Sequence, residues 1–99
     1  MRKFIAFAAL ALSFNAFAED SQACLSVQKV FISGDFAKAA AILEPLAAQG
    51  DDCAQTKLGY LYMQGRGVPA NKDKALQLWE AAAAQGNQEA AVQVAFLKK

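Results

Sequence analysis

The segments AKAAAILEPLAAQGDDCA (Ala37–Ala54) and DKALQLWEAAAAQGNQEA (Asp73–Ala90) align with each other at an offset of 36 residues. Lys38-Ala39 falls on Lys74-Ala75, and Leu43-Glu44 falls on Trp79-Glu80. Ala47-Ala48-Gln49-Gly50-Asp51 falls on Ala83-Ala84-Gln85-Gly86-Asn87. A period of this length, long enough for two helices, marks an α-solenoid, whose units bury apolar faces against their neighbours. Alanine lets the helix axes approach closely, while Leu43 and Trp79 fill the wider gaps. Glycine after Gln49 or Gln85 takes the left-handed conformation that ends a helix.

Outward from this pair, the chain is rich in Ala, Leu, Gln, Lys and Glu and poor in β-branched residues, a composition that favours helices. Gly34, Gly50, Gly65-Arg66-Gly67 and Gly86 divide it into segments of helical length. The spacing predicts helices near 21–33, 36–49, 52–64, 72–85 and 87–97. Connections this short fold successive helices back as antiparallel hairpins. The fold class expected is therefore all-α, a short α-α solenoid of about five helices, with no stretch alternating long enough to suggest a strand.

The N-terminal end has a different character. Met1-Arg2-Lys3 is a short positive region, FIAFAALALSFNAFA (Phe4–Ala18) carries no charge, and Ala16-Phe17-Ala18 precedes Glu19-Asp20. That order of features is a secretory signal peptide with cleavage expected after Ala18. The apolar run is short of the about 20 residues that a bilayer-spanning helix needs. Lipidation at Cys24 is disfavoured, because Ser21-Gln22-Ala23 lacks the usual Leu. The expected address is thus the periplasm or the extracellular medium, with no stable membrane insertion after cleavage. Loss of Arg2 and Lys3 leaves eight cations against nine acids. Nucleic acid is therefore not an expected partner.

Cys24 and Cys53 are the only two cysteines, and histidine is absent. Export to an oxidising compartment points to a structural disulfide, within one chain or between two. Closing a loop of roughly 30 residues contributes about 3–4 kcal/mol in the chain-entropy model. No metal site and no cofactor is expected.

One stretch pulls towards a different chemistry. Gly65-Arg66-Gly67-Val68-Pro69, followed by a Lys cluster, has the look of a phosphate-cradling loop. Such a loop needs a strand running into it, whereas Tyr60, Leu61 and Met63 precede it at helical spacing. The chain has no GxxxxGK[ST], and the third glycine of a dinucleotide fingerprint is missing. The expectation is a connector: Gly65 ends one helix, Gly67 takes an unusual backbone angle, Val68 plugs between helices and Pro69 blocks continuation. Asn71 then caps the next helix, with Arg66 solvated.

The landmarks Ala54, Leu58-Gly59, Tyr62, Gly65, Gly67-Val68, Lys74-Ala75, Trp79, Ala82-Ala83, Gly86 and Ala90 resemble the pattern of Sel1-like repeats, relatives of tetratricopeptide repeats. The departures are Asn71 where Asp is usual, Leu78-Trp79 in place of Trp-Tyr, and Ala81 in place of Lys. The resemblance divides the chain into a signal peptide (1–18) and a repeat domain (19–99). Within the domain it implies a partial repeat (19–51), a full repeat (52–86) and a terminal capping helix (87–99). It also implies Cys24 and Cys53 on adjacent, roughly parallel first helices, facing the same side.

By the same resemblance the first helix of each pair lines a concave groove for a protein or peptide. The partner-binding residues it implies are Gln28, Phe31, Thr56, Tyr60, Met63, Gln64, Glu89 and Val92, with Phe96 beyond them. Gly59 packs against the neighbouring helix, and Trp79 and Tyr62 belong to the core. The function expected is a periplasmic or secreted protein–protein interaction module rather than an enzyme. The alternative is a cell-wall-related hydrolase or β-lactam-binding protein of the cysteine-containing Sel1-like type. Ser26-Val27-Gln28-Lys29 formally reads SxxK, but the companion motifs S-D-N and K-T-G are absent. A subunit of a larger envelope complex would use the same groove. Phe31-Ile32 and Phe96-Leu97, at the ends of terminal helices, offer a route to a homo-oligomer.

Overall fold

A computed structural model of the protein describes residues 24–98. The signal peptide with its cleavage point, and the start of the first expected helix, lie outside the described residues. Helix α1 covers 24–33, and four further helices follow: α2 (Phe36–Ala48), α3 (Asp52–Gln64), α4 (Lys72–Ala84) and α5 (Gln88–Leu97). No strand occurs among the described residues.

The helix starts are written in short acceptors. Asp35, Asp51, Asn71 and Asn87 sit at the N-caps of α2, α3, α4 and α5, and their side chains accept from the backbone N–H of Lys38, Cys53 and Ala54, Lys74 and Ala90. Each bond satisfies a donor that has no partner within the first turn. Asn87 therefore precedes α5 rather than belonging to it, and Gln49 and Gln85 stand as C-caps just outside α2 and α4. These are the differences from the expected boundaries among the described residues.

The helices pack as consecutive antiparallel hairpins, with α3 in the centre. One core cluster joins α1, α2 and α3 through Cys24, Val27, Ala39, Leu43, Ala47, Ala54, Leu58 and Leu61. A second joins α4 and α5 through Ala75, Trp79, Ala82 and Ala90, with Tyr60 and Met63 of α3 packed against it. The repeat-aligned residues Leu43 and Trp79 are both fully buried, so each unit centres on the same position.

Trp79 reaches α3 because Gly59 has no side chain. A Cβ added at Gly59 would lie 2.7 Å from Trp79 Cδ1 and 2.9 Å from Cε2. The indole Nε1 donates to the Thr56 carbonyl at 3.0 Å, so the buried ring keeps its polar atom satisfied. Polar links tie the opposite ends of these helices. Gln55 Nε2 donates to Ala47 O at 3.2 Å, Gln85 Nε2 to Gln55 Oε1 at 3.0 Å, and Asn87 Nδ2 to Asp52 Oδ2 at 2.9 Å. On the outer side Tyr62 is half-buried and its hydroxyl donates to Glu44 Oε2 at 2.6 Å. That bond, with burial and the Glu44 charge, pushes the Tyr62 hydroxyl up to about 12.

Candidate functional site

The disulfide sets the geometry of one face. Cys24 and Cys53 are bonded, with Cα atoms 6.1 Å apart, so the first turns of α1 and α3 lie side by side. Residues four and seven positions further on each helix share the same stripe. Gln28 and Phe31 follow Cys24, and Lys57 and Tyr60 follow Cys53. Lys57 Nζ donates to Gln28 Oε1 at 3.0 Å and stands 5.8 Å from the centre of the Phe31 ring. The two helices run parallel and in register along this stripe.

Helix α5 joins the same face from the other side of α3. Asn87, at its start, is bonded to Asp52 at the start of α3, so these helices are parallel as well. Tyr60 packs edge-on against Trp79, with ring centres 5.2 Å apart. Burial raises the Tyr60 hydroxyl above its ordinary range, and the Glu89 charge and hydrogen bond add to the effect, against an opposing bond from Gln93. Tyr60 meets α5 by packing, against the cluster that holds Ala90 and with Val94 also packed on it, whereas Lys57 meets α1 by a hydrogen bond.

The expected site residues divide clearly. Gln28, Phe31 and Tyr60 are brought onto one face, and Glu89 stands exposed in the first turn of α5. Gln64 lies exposed in the last turn of α3, and Val92 is 53% exposed on α5. Met63 is half-buried and packs against the Trp79 cluster. Thr56 is a correction: it is only 2% exposed, and its hydroxyl donates to Asp52 O at 2.9 Å. Its side chain is inside because the central helix is covered on more of its circumference than a helix at a stack's edge. Lys57 is the residue that the pattern missed. Lys57 stands four residues after Cys53 and three before Tyr60, a spacing that places it on the stripe.

The glycine loop offers no open cradle. Helix α3, not a strand, runs into it, and the N–H groups of Gly65 and Arg66 both donate to Leu61 O. The N–H of Asn71 donates to Tyr62 O at 2.8 Å. The loop's donors are used to finish α3, leaving none of these for an anion. Gly65 ends the helix in the left-handed conformation at φ 67°. Gly67, at φ 74°, lies so close to the chain at Phe36 that a Cβ would fall 2.7 Å from Ala37 N. Val68 packs against the first core cluster. Arg66 is exposed, as expected.

Among the described residues no group of three or more His, Cys, Asp or Glu side chains is placed to hold a metal ion. None of the described helices is long and apolar enough to cross a membrane. Ser26 and Lys29 are both exposed on α1.

Antiparallel helix hairpins stacked so that alternate helices share a face define the class: a short all-α repeat protein. Residues 54–87 match the family model of the Sel1 repeat, so the chain carries a Sel1 repeat over α3, the glycine loop and α4. Sel1 repeats generally mediate protein–protein interaction and are generally not enzymatic. No curated protein and no solved structure matches the chain.

Proposed function

We propose that the protein is an exported protein–protein interaction module that holds an extended peptide or a partner helix on the face shared by α1, α3 and α5. The observation that carries this reading is the pair of cross-helix contacts along one stripe of α3: Lys57 to Gln28 and Phe31 of α1, and Tyr60 packed against the cluster that holds Ala90 of α5. They set half-buried aromatic area beside exposed polar tips, the composition that binding surfaces favour. Gln64 and Val92 extend the face, and Met63, like Tyr60, packs against the Trp79 cluster. Such a face, built on three parallel helices, fits the recognition of a chain laid along or across them.

Export rests on the order Met1-Arg2-Lys3, the apolar run to Ala18 and the small residues before Glu19. A cross-linked cysteine pair suits an oxidising compartment, periplasmic or extracellular. The working unit is then 19–99, with a partial repeat at 19–51, the full repeat at 52–86 and a capping helix at 87–99. The hydrolase or β-lactam-binding alternative has weak support, since Ser26 and Lys29 stand on an exposed helix surface. Self-association through the terminal helices keeps one observation in its favour: Ile32 is 82% and Phe96 69% exposed.

The test is co-purification from the exported fraction with wild-type protein and a Tyr60→Ala variant. Loss of specific partners from the variant, with helicity unchanged by circular dichroism, is expected. Equal recovery by both proteins would remove the assigned face.

A further inference from the structure

The open face continues into a strip of rings and cations that packing alone does not require. Lys57 Nζ lies 5.8 Å from the Phe31 ring centre, and Phe31 meets Phe36 edge-on at 5.9 Å. The Arg66 guanidinium stands 5.1 Å from the Phe36 ring centre. Four side chains from α1, α2, α3 and the glycine loop thus form an unbroken series, cation, ring, ring, cation. It runs from the shared face over the edge where the α1–α2 turn meets the loop after α3. Gly67 makes this possible, because its close approach to Phe36 brings Arg66 over that ring.

Neither cation is in an ion pair among the described residues, where the ion pair formed is Lys98 with Glu80 at 2.6 Å. Lys57 instead donates to the neutral Gln28 amide, and Asp35, near the strip in sequence, is occupied in capping α2. Phe31 and Phe36 are half-buried, so each ring keeps an edge at the surface between the charges. On the far side of α3 the charge reverses, with Glu89 exposed in the first turn of α5.

From this arrangement, and resting on the interaction reading above, we infer that the partner segment is acidic: its carboxylates meet Lys57 and Arg66 while an apolar side chain between them covers Phe31 and Phe36. The centre-to-centre steps of 5.8, 5.9 and 5.1 Å bound the separation of the cations to what about five extended residues cover. Cations already poised on ring faces lose little freedom when a carboxylate docks, and the rings lower the local dielectric around each pair. Glu89 repels acidic residues from the α5 side, which orients the segment with its carboxylates towards the α1–α2 turn. A nucleic acid is a poorer match, since the whole chain has ten cations against nine acids.

The test is a random 12-residue peptide display library panned against the disulfide-bonded protein, a Lys57→Gln/Arg66→Gln variant and a Lys57→Glu/Arg66→Glu variant. Circular dichroism confirms that each is folded. Clones enriched on wild type are expected to be rich in Asp and Glu flanking an aromatic or aliphatic residue. They should bind the Gln variant about tenfold or more weakly and lose affinity as salt rises. The Glu variant should select Lys and Arg instead. Enrichment without an acidic excess, or the same excess on all three proteins, would overturn the acidic assignment while leaving the binding face standing. A 20-residue oligothymidine or phosphatidylglycerol vesicles binding as tightly as the best clone would also overturn it. No enrichment above a blank surface for any of the three proteins would overturn the binding face and the inference together.

Discussion

Removing the cross-link between Cys24 and Cys53 perturbs both the stability and the binding face. The bridge closes a chain separation of 29 residues. In the chain-entropy model a loop of that length restricts the unfolded state by about 12 cal/mol/K, or about 3.6 kcal/mol at 25 °C. For a domain of this size, about 4–8 °C accompanies each kcal/mol, so the melting temperature should fall by about 15–30 °C. Two routes to the same state separate the cross-link from the sulfur atoms. Reduction of the wild-type protein keeps both sulfurs, whereas Cys24→Ala/Cys53→Ala removes them and leaves a small cavity at the fully buried Cys24. Thermal unfolding followed by circular dichroism should show both proteins melting far below the oxidised form, with the Ala variant slightly lower. A melting temperature within a few degrees of the oxidised protein after full reduction would refute the reasoning, as would two free thiols in the protein purified from an oxidising compartment.

Gly59→Ala should destabilise by about 1–3 kcal/mol despite alanine's better helix propensity, because the new Cβ meets the Trp79 ring; in urea unfolding the same substitution should cost less in a Trp79→Leu background than in wild type. Tyr62 predicts a specific alkaline limit. Its folded value, near 12, lies above the ordinary 10, so folding favours the protonated hydroxyl. That contribution is complete below pH 10 and is lost as pH rises from 10 towards 12. A Tyr62→Phe variant should therefore show a shallower loss of stability across that window than wild type; identical slopes would remove the Tyr62–Glu44 bond from the account.

Much of the fold was legible because it depends on local rules. Asp or Asn ahead of each of α2 to α5, glycine after each AAQ, and the offset of 36 residues between like segments mark where helices start, stop and recur. Gly59 and Trp79 were each legible as landmarks, although neither their contact nor the indole bond to Thr56 that completes it was. Thr56 itself shows where periodicity stops informing. Helical spacing orders residues around an axis, but the width of the buried arc depends on how many neighbours a helix has. The central α3 buries Ala54, Gln55, Thr56, Leu58, Gly59 and Leu61, an arc wide enough to enclose a residue expected at the surface. Lys57 was missed for the complementary reason: an isolated lysine on a helix reads as solvated until the register with α1 places Gln28 and Phe31 beneath it. The ring series from Phe31 to Phe36 to Arg66 joins three separate segments, so only the packed structure brings it into view.

The central claim is that the face shared by α1, α3 and α5 is where a partner is held. Its most direct measurement is the dissociation constant of a wild-type-selected peptide for three proteins: wild type, Tyr60→Ala on that face, and Gln77→Ala on the exposed outer side of α4. The account predicts affinity about tenfold or more weaker for Tyr60→Ala and unchanged for Gln77→Ala. Equal affinity in all three, or a loss at Gln77 without one at Tyr60, would contradict it.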